Sequence, residues 1–164
     1  MRVRRHTLRI GLLLLLPVVA LAQEPTSGAE ARKAWVDAYR WYGAGISTSF
    51  PYTEFGDDFS TGYGLHAIVD KPVVPLLNLS ADLGWNHFPG EGDRESVDIW
   101  NLIFGGRFVL GVFFMGGETG YLSEVDNWGW VPSMGLRFEQ LEFTVRHVNA
   151  GADAWTTLRA GYYF

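Results

Sequence analysis

Seven ionisable side chains sit at alternate positions between large apolar residues: Asp82, Arg107, Glu118, Arg137, Glu142, Arg146 and Arg159. Their chemistry is mutual. A guanidinium matches a carboxylate in a planar, two-pronged hydrogen bond, and a charge taken out of water is costly unless it is paired in this way. Gathered into one confined space, the seven would either plug that space or line a small gated pore. A second, acidic set falls in segments that read as loops: Glu54, Asp57 and Asp58, then Glu91, Asp93, Glu95 and Asp98 opposed by Arg94, then Glu124 and Asp126, then Asp153. Such carboxylates either solvate a loop or bind Ca²⁺ or Mg²⁺ through oxygen, and their spacing matches no EF-hand. His66 reads as an interior histidine satisfied by its neighbours. With 4 His and no Cys in the chain, no transition-metal cluster and no cofactor is expected.

The elements that must position these groups follow from a period of two. In the last stretch, Phe164, Tyr162, Ala160, Leu158 and Thr156 form one set, and Tyr163, Gly161, Arg159, Thr157 and Trp155 form the other. The first is apolar and the second carries the charge, so the two point to opposite faces of a strand. The pattern recurs upstream. Leu141, Phe143 and Val145 alternate with Glu142, Thr144 and Arg146; Met134, Leu136 and Phe138 with Ser133, Gly135 and Arg137; Phe113, Met115 and Tyr121 with Gly116, Glu118 and Gly120. Trp100, Leu102, Phe104 and Phe108 alternate with Asn101 and Arg107, and Leu77, Leu79, Leu83 and Trp85 with Asn78, Ser80, Asp82 and Asn86. Tyr63, Leu65 and Val69 flank His66, and Tyr42, Ile46 and Phe50 flank Ser47 and Ser49. This predicts an all-β chain of eight antiparallel strands from residue 41 to 164, closed up-and-down into a barrel.

A soluble barrel would put its charges outside and fill its centre with apolar side chains. Here the apolar set is too large for the small interior of eight strands, so the expectation is a transmembrane barrel with lipid on the outside. Trp41, Tyr42, Trp85, Trp100, Tyr121, Trp128, Trp130, Trp155 and Tyr162 fall near strand ends, where aromatic girdles sit. The turns "DKPVVPLL", "FVLG" and "FEQLE" are expected on the periplasmic side, which makes the acidic loops extracellular.

Residues 1–22 have the layout of a secretory signal peptide. Arg2, Arg4, Arg5 and Arg9 precede an apolar run from Ile10 to Val19, followed by the small-residue site Ala20-Leu21-Ala22. The run is short for a membrane span and Pro17 interrupts it. Residues 23–40 read as a flexible periplasmic lead-in. The full chain has 13 basic and 18 acidic residues, net −5, and without the four arginines of the leader the balance is 9 against 18. That excludes a nucleic-acid partner, which needs a basic face. Aromatic residues make up 15 % of the chain and 20 residues are glycine. Mean hydropathy is close to neutral, as alternation allows for a barrel and not for apolar spanning helices.

The segments "YGAGISTSFP", "FSTGYGLHAIVDKPVVP" and "LNLSADLGWNHF" resemble the opening half of the small eight-stranded outer-membrane barrel superfamily, of the OmpA transmembrane-domain and OmpX type. The resemblance covers nearly all of residues 41–164. It implies an outer-membrane location, outer-membrane lipid and lipopolysaccharide as surroundings, and a monomer. Leu158, Tyr162 and Phe164 resemble the terminal signal read by the barrel-assembly machinery in such proteins. No peptidoglycan-binding domain is expected after the last strand, unlike full-length OmpA-type proteins. "VRHVNAG" is similar to the motif of PagL-type lipid A deacylase barrels. Aligned on Asn149-Ala150-Gly151, however, the nucleophile position holds Val148 and the histidine position holds Arg146, neither of which can do that chemistry. His147 points outward by parity. Ser123 has no assigned base, and the outer-rim His, Asp and Ser set of a palmitoyltransferase-type barrel is not assembled. The superfamily hosts several functions. The leading expectation is a non-enzymatic structural barrel, with a lipid A-modifying enzyme, a narrow pore and an adhesin as alternatives; the short loops disfavour the adhesin.

Overall fold

Strands alternating large apolar residues with polar ones hide only one face each, and eight of them satisfy every edge by closing on themselves. The computed structural model describes residues 39–125 and 127–164. In it the strands are β1 Tyr42–Thr53, β2 Gly62–Val74, β3 Leu77–Phe88, β4 Val97–Leu110, β5 Phe113–Leu122, β6 Asn127–Phe138, β7 Leu141–Ala150 and β8 Asp153–Tyr163. Each pairs antiparallel with the next, and β1 pairs with β8 to close the barrel. Expectations for residues 1–22, for 23–38 and for Asp126 lie outside the described residues.

One end of the barrel is tight. β2–β3, β4–β5 and β6–β7 are joined by two residues each, with left-handed backbone at Leu76, Gly111 and Glu139. Gly111 takes φ 62° without a Cβ penalty. The expected turn "DKPVVPLL" is too wide: β2 continues through Asp70 and Lys71 to Val74 and turns only at Pro75-Leu76. The other end carries the longer connections, including a short helix α1, Glu54–Asp58. Pro132 has no N–H, and the β6–β7 pairing skips from Trp130↔Asn149 to Ser133↔Arg146 around it.

The outside is an apolar band in which Ile46, Leu65, Trp100, Phe143 and Met134 are all exposed. The strand faces match the alternation throughout. The inside has two layers. The half toward the tight turns is charged. The half toward the loops is an apolar core of Phe55, Phe88, Ile99, Ile103, Leu122, Val131, Val148, Ala150 and Trp155. α1 supplies Phe55, whose ring meets Phe88 edge-on at 5.1 Å and Trp155 at 5.3 Å. Trp155 therefore does not belong to an outer girdle. It is 1 % exposed, because the parity of β8 turns it inward and it fills the loop end of the lumen.

Candidate functional site

The charged half of the lumen is built by register. Long side chains lie opposite small ones on neighbouring strands. Arg107 faces Gly116, Arg146 faces Ser133 and Thr157, Arg159 faces Ser47 and Thr144, and His66 faces Gly45 and Gly84. A Cβ at Gly84 would lie 2.7 Å from His66 Nδ1, so the histidine needs glycine there. An eight-stranded barrel has room for its side chains and little else; alternating large with small lets them interleave.

Six of the expected residues form a closed ring of alternating sign. Arg107 Nε donates to Glu118 Oε1 at 3.1 Å, and Arg146 Nη2 donates to Glu118 Oε2 at 2.7 Å. Arg146 Nη1 donates to Asp82 Oδ2 at 2.9 Å, and Arg159 Nη1 reaches the same oxygen. Arg159 Nη2 donates to Glu142 Oε1 at 2.6 Å, and Arg107 Nη1 returns to Glu142 Oε2 at 3.1 Å. Each guanidinium spans two carboxylates and each carboxylate holds two guanidiniums. All six residues are at most 2 % exposed. Ser80, Thr144 and Tyr163 donate into the carboxylates as well. Buried charges tolerate loss of water only with this degree of pairing.

Arg137 is not in the ring. Its register partner on β7 is Glu142. The carboxylate of Glu142 is already occupied by Arg107 and Arg159. Arg137 turns toward the tight end instead, where Nη1 meets Asp70 Oδ2 at 2.7 Å. Asp70 lies inside "DKPVVPLL", whose two prolines mimic a turn, yet it belongs to β2. Its signal was parity: it is in phase with His66.

The structure also joins three residues that the sequence reading placed inward separately. Ser47 Oγ and His66 Nε2 share a hydrogen bond of 2.9 Å, and His66 Nδ1 donates to the Asp82 carboxylate at Oδ1, also at 2.9 Å. This is the connectivity of a Ser-His-Asp relay. Nucleophilic catalysis also needs space for a substrate and donors for an oxyanion. The cavity beside His66, lined by Asn86, Asn101, Arg146 and Trp155 among others, is about 10 Å³, the size of one water. The other oxygen of Asp82 is shared by two arginines. The relay as packed is a hydrogen-bonded strut between β1, β2 and β3.

The remaining candidates lie elsewhere. Val148 is in the apolar core. His147 faces outward and stacks on Tyr52, whose hydroxyl it meets through Nε2 at 2.9 Å. Ser123 Oγ accepts the Trp100 N–H at the loop rim. Glu54, Asp57 and Asp58 lie on α1. Arg94 reaches out of its own loop to pair with Asp58 at 2.9 Å, away from Glu91, Asp93 and Glu95. Asp98, the second residue of β4, meets His87 Nδ1 at 2.8 Å. Glu124 follows β5 and Asp153 opens β8. Among the described residues no group of three or more His, Cys, Asp or Glu side chains is arranged to hold a metal ion. On β8, Leu158 and Tyr162 are on the outer face, with the adjoining Phe164 exposed and its N–H bonded to Tyr42 O at 2.9 Å.

The chain matches no protein-family model and no curated protein.

Proposed function

We propose that this protein is a structural outer-membrane barrel, exported by its N-terminal leader, whose lumen is closed to ions. The single observation that carries the reading is the closed, charge-neutral ring of three arginines and three carboxylates. A selective pore leaves one sign of charge facing water along a continuous path. Here every charge in the ring is spent on another, and the apolar core lies in series above it. The outer band of exposed aliphatic and aromatic side chains fits lipid as its solvent. Its contribution is to envelope integrity, with outer-membrane lipid around the band and the acidic loops turned to lipopolysaccharide. Leu158, Tyr162 and Phe164 would engage the barrel-assembly machinery, and the working unit is a monomer. The test is fractionation with outer membranes and heat-modifiable migration on gels. Recovery of the folded protein in the soluble periplasmic fraction would reject membrane insertion.

A second reading is favoured by the Ser47-His66-Asp82 relay: acyl hydrolysis or transfer on lipid A. It requires the lumen to open beside Ser47. Mass spectrometry of lipid A from cells with and without the gene separates the two. An altered acyl pattern that Ser47→Ala abolishes would establish the enzyme.

A further inference from the structure

We infer that the residues immediately before β1 close the tight-turn mouth of the barrel, with Tyr39 as a removable stopper. Three consecutive residues lie across that mouth before β1 begins. The Tyr39 hydroxyl donates to Asp70 Oδ2 at 2.9 Å, and accepts from Asn78 Nδ2 and from Arg137 Nη1, both at 2.7 Å. The Arg137 guanidinium lies 4.3 Å from the Tyr39 ring centre and 3.6 Å from that of Tyr163, so it is held between two aromatic faces. Arg137 Nη2 also donates to the Arg40 carbonyl at 2.6 Å. Asp70 N–H donates to Trp41 O at 2.8 Å, and the Trp41 ring receives the Lys71 ammonium at 4.8 Å.

The mouth is shaped for this occupant. Arg137 has carboxylate, hydroxyl and carbonyl acceptors placed around it, and two of these come from the lead-in. Tyr163 carries the layer inward, since its hydroxyl donates to Glu142 of the ring. Burial first, then the Asp70 carboxylate, push the Tyr39 hydroxyl well above the ordinary tyrosine range, so it stays a neutral donor. Beside the stopper an open cavity of about 360 Å³ is lined by Tyr39, Arg40, Val109, Arg137 and Gln140 among others. With Tyr39 displaced, Asp70, Arg137 and Ser80 would face water, while the apolar core would still close the loop end.

The chain has no cysteine, so single thiols report access cleanly. Ser80 lies opposite Asp70, one layer in from the stopper, and Ser49 lies in the loop half, bonded to Thr157. Ser80→Cys and Ser49→Cys, folded in detergent, would be titrated with a charged methanethiosulfonate reagent. In the native background both are expected to stay protected. Adding Tyr39→Ala should speed modification of Ser80→Cys by about tenfold or more, as for local opening, and leave Ser49→Cys protected. Tyr39→Phe keeps the ring, removes the hydroxyl and should give a smaller acceleration; it carries the test if the alanine variant does not fold. Equal rates at Ser80→Cys with and without the Tyr39 substitutions would overturn the inference. So would simultaneous exposure of Ser49→Cys, which means a loosened barrel and no local stopper.

Discussion

Arg146 on β7 and Glu118 on β5 meet across the lumen at 2.7 Å, over the top of β6. Neither strand pairs with the other, so the contact joins two parts of the wall that share no backbone ladder. The same holds for Asp82 and Arg146, from β3 and β7, at 2.9 Å. Backbone ladders hold only neighbouring strands together; four of the six ring contacts join strands that are not neighbours, and Asp82–Arg146 spans opposite walls. Arg146→Ala would leave two carboxylates each with one arginine in a site that excludes water. The expected loss is about 3–5 kcal/mol, the usual result of breaking a buried pair, and less where water enters. Urea unfolding in detergent micelles measures it. Arg137→Ala, at the more accessible mouth, should cost less. The opposite order would mean that the ring is not the principal cross-brace.

Conduction is the second test. Glu118→Ala unbalances the ring, but the core around Phe55, Phe88 and Trp155 lies in series with it. Planar-bilayer recordings should be silent for the wild type and for Glu118→Ala alone. Conductance is expected only when the cap is also cut, as in Glu118→Ala with Phe55→Ala. Steady, large conductance from the wild type would reject a closed lumen and restore the pore.

Leu136 and Ser133 are three residues apart on β6 and on opposite faces. Leu136 faces Phe113 and Phe143 on the outside, whereas Ser133 is buried beside Arg146. Leu136→Arg should cost ~2–4 kcal/mol in lipid vesicles if the band meets the bilayer midplane. Ser133→Ala should cost far less, since its hydroxyl has no protein partner to lose. Urea titration in vesicles compares them. If Leu136→Arg proves harmless in vesicles, lipid is not what covers this face.

Parity made much of this molecule legible. A strand whose apolar set includes Leu141, Phe143 and Val145 must turn Glu142, Thr144 and Arg146 the other way. Repeated eight times, that yields the barrel and turns all six ring residues inward, together with Arg137, which pairs outside the ring. Register was not legible, because pairing depends on turns and on partners far away in sequence. Ser47, His66 and Asp82 each read as inward, yet nothing in the sequence says that they meet. Axial level was hidden for the same reason. Ile103, Val131 and Val148 share the inward phase of Arg107, Ser133 and Arg146, and only the fold shows that they stack at the loop end. Tyr39 was lost differently. It precedes the alternating pattern, so its place in the mouth depends on Asp70, which "DKP" disguised as a turn.

The boundary between the ring and the apolar core carries the last prediction. Asn86 Oδ1, Asn101 Oδ1 and Arg146 Nε are buried without a protein partner. All three residues line the same cavity of about 10 Å³. An unpaired buried polar atom costs about 1–3 kcal/mol, and a site with one donor and two acceptors matches a single water. That water would accept from Arg146 and donate to both asparagines. A crystal structure at a resolution that shows ordered solvent should contain a peak within hydrogen-bond distance of all three atoms. Asn101→Leu should expel it, because the larger apolar group fills the space and removes one acceptor. A dry cavity in the wild-type crystal, with the three side chains placed as here, would refute the assignment. The polar layer would then end on unpaired groups, and the apolar core would have to supply all of the sealing at that level.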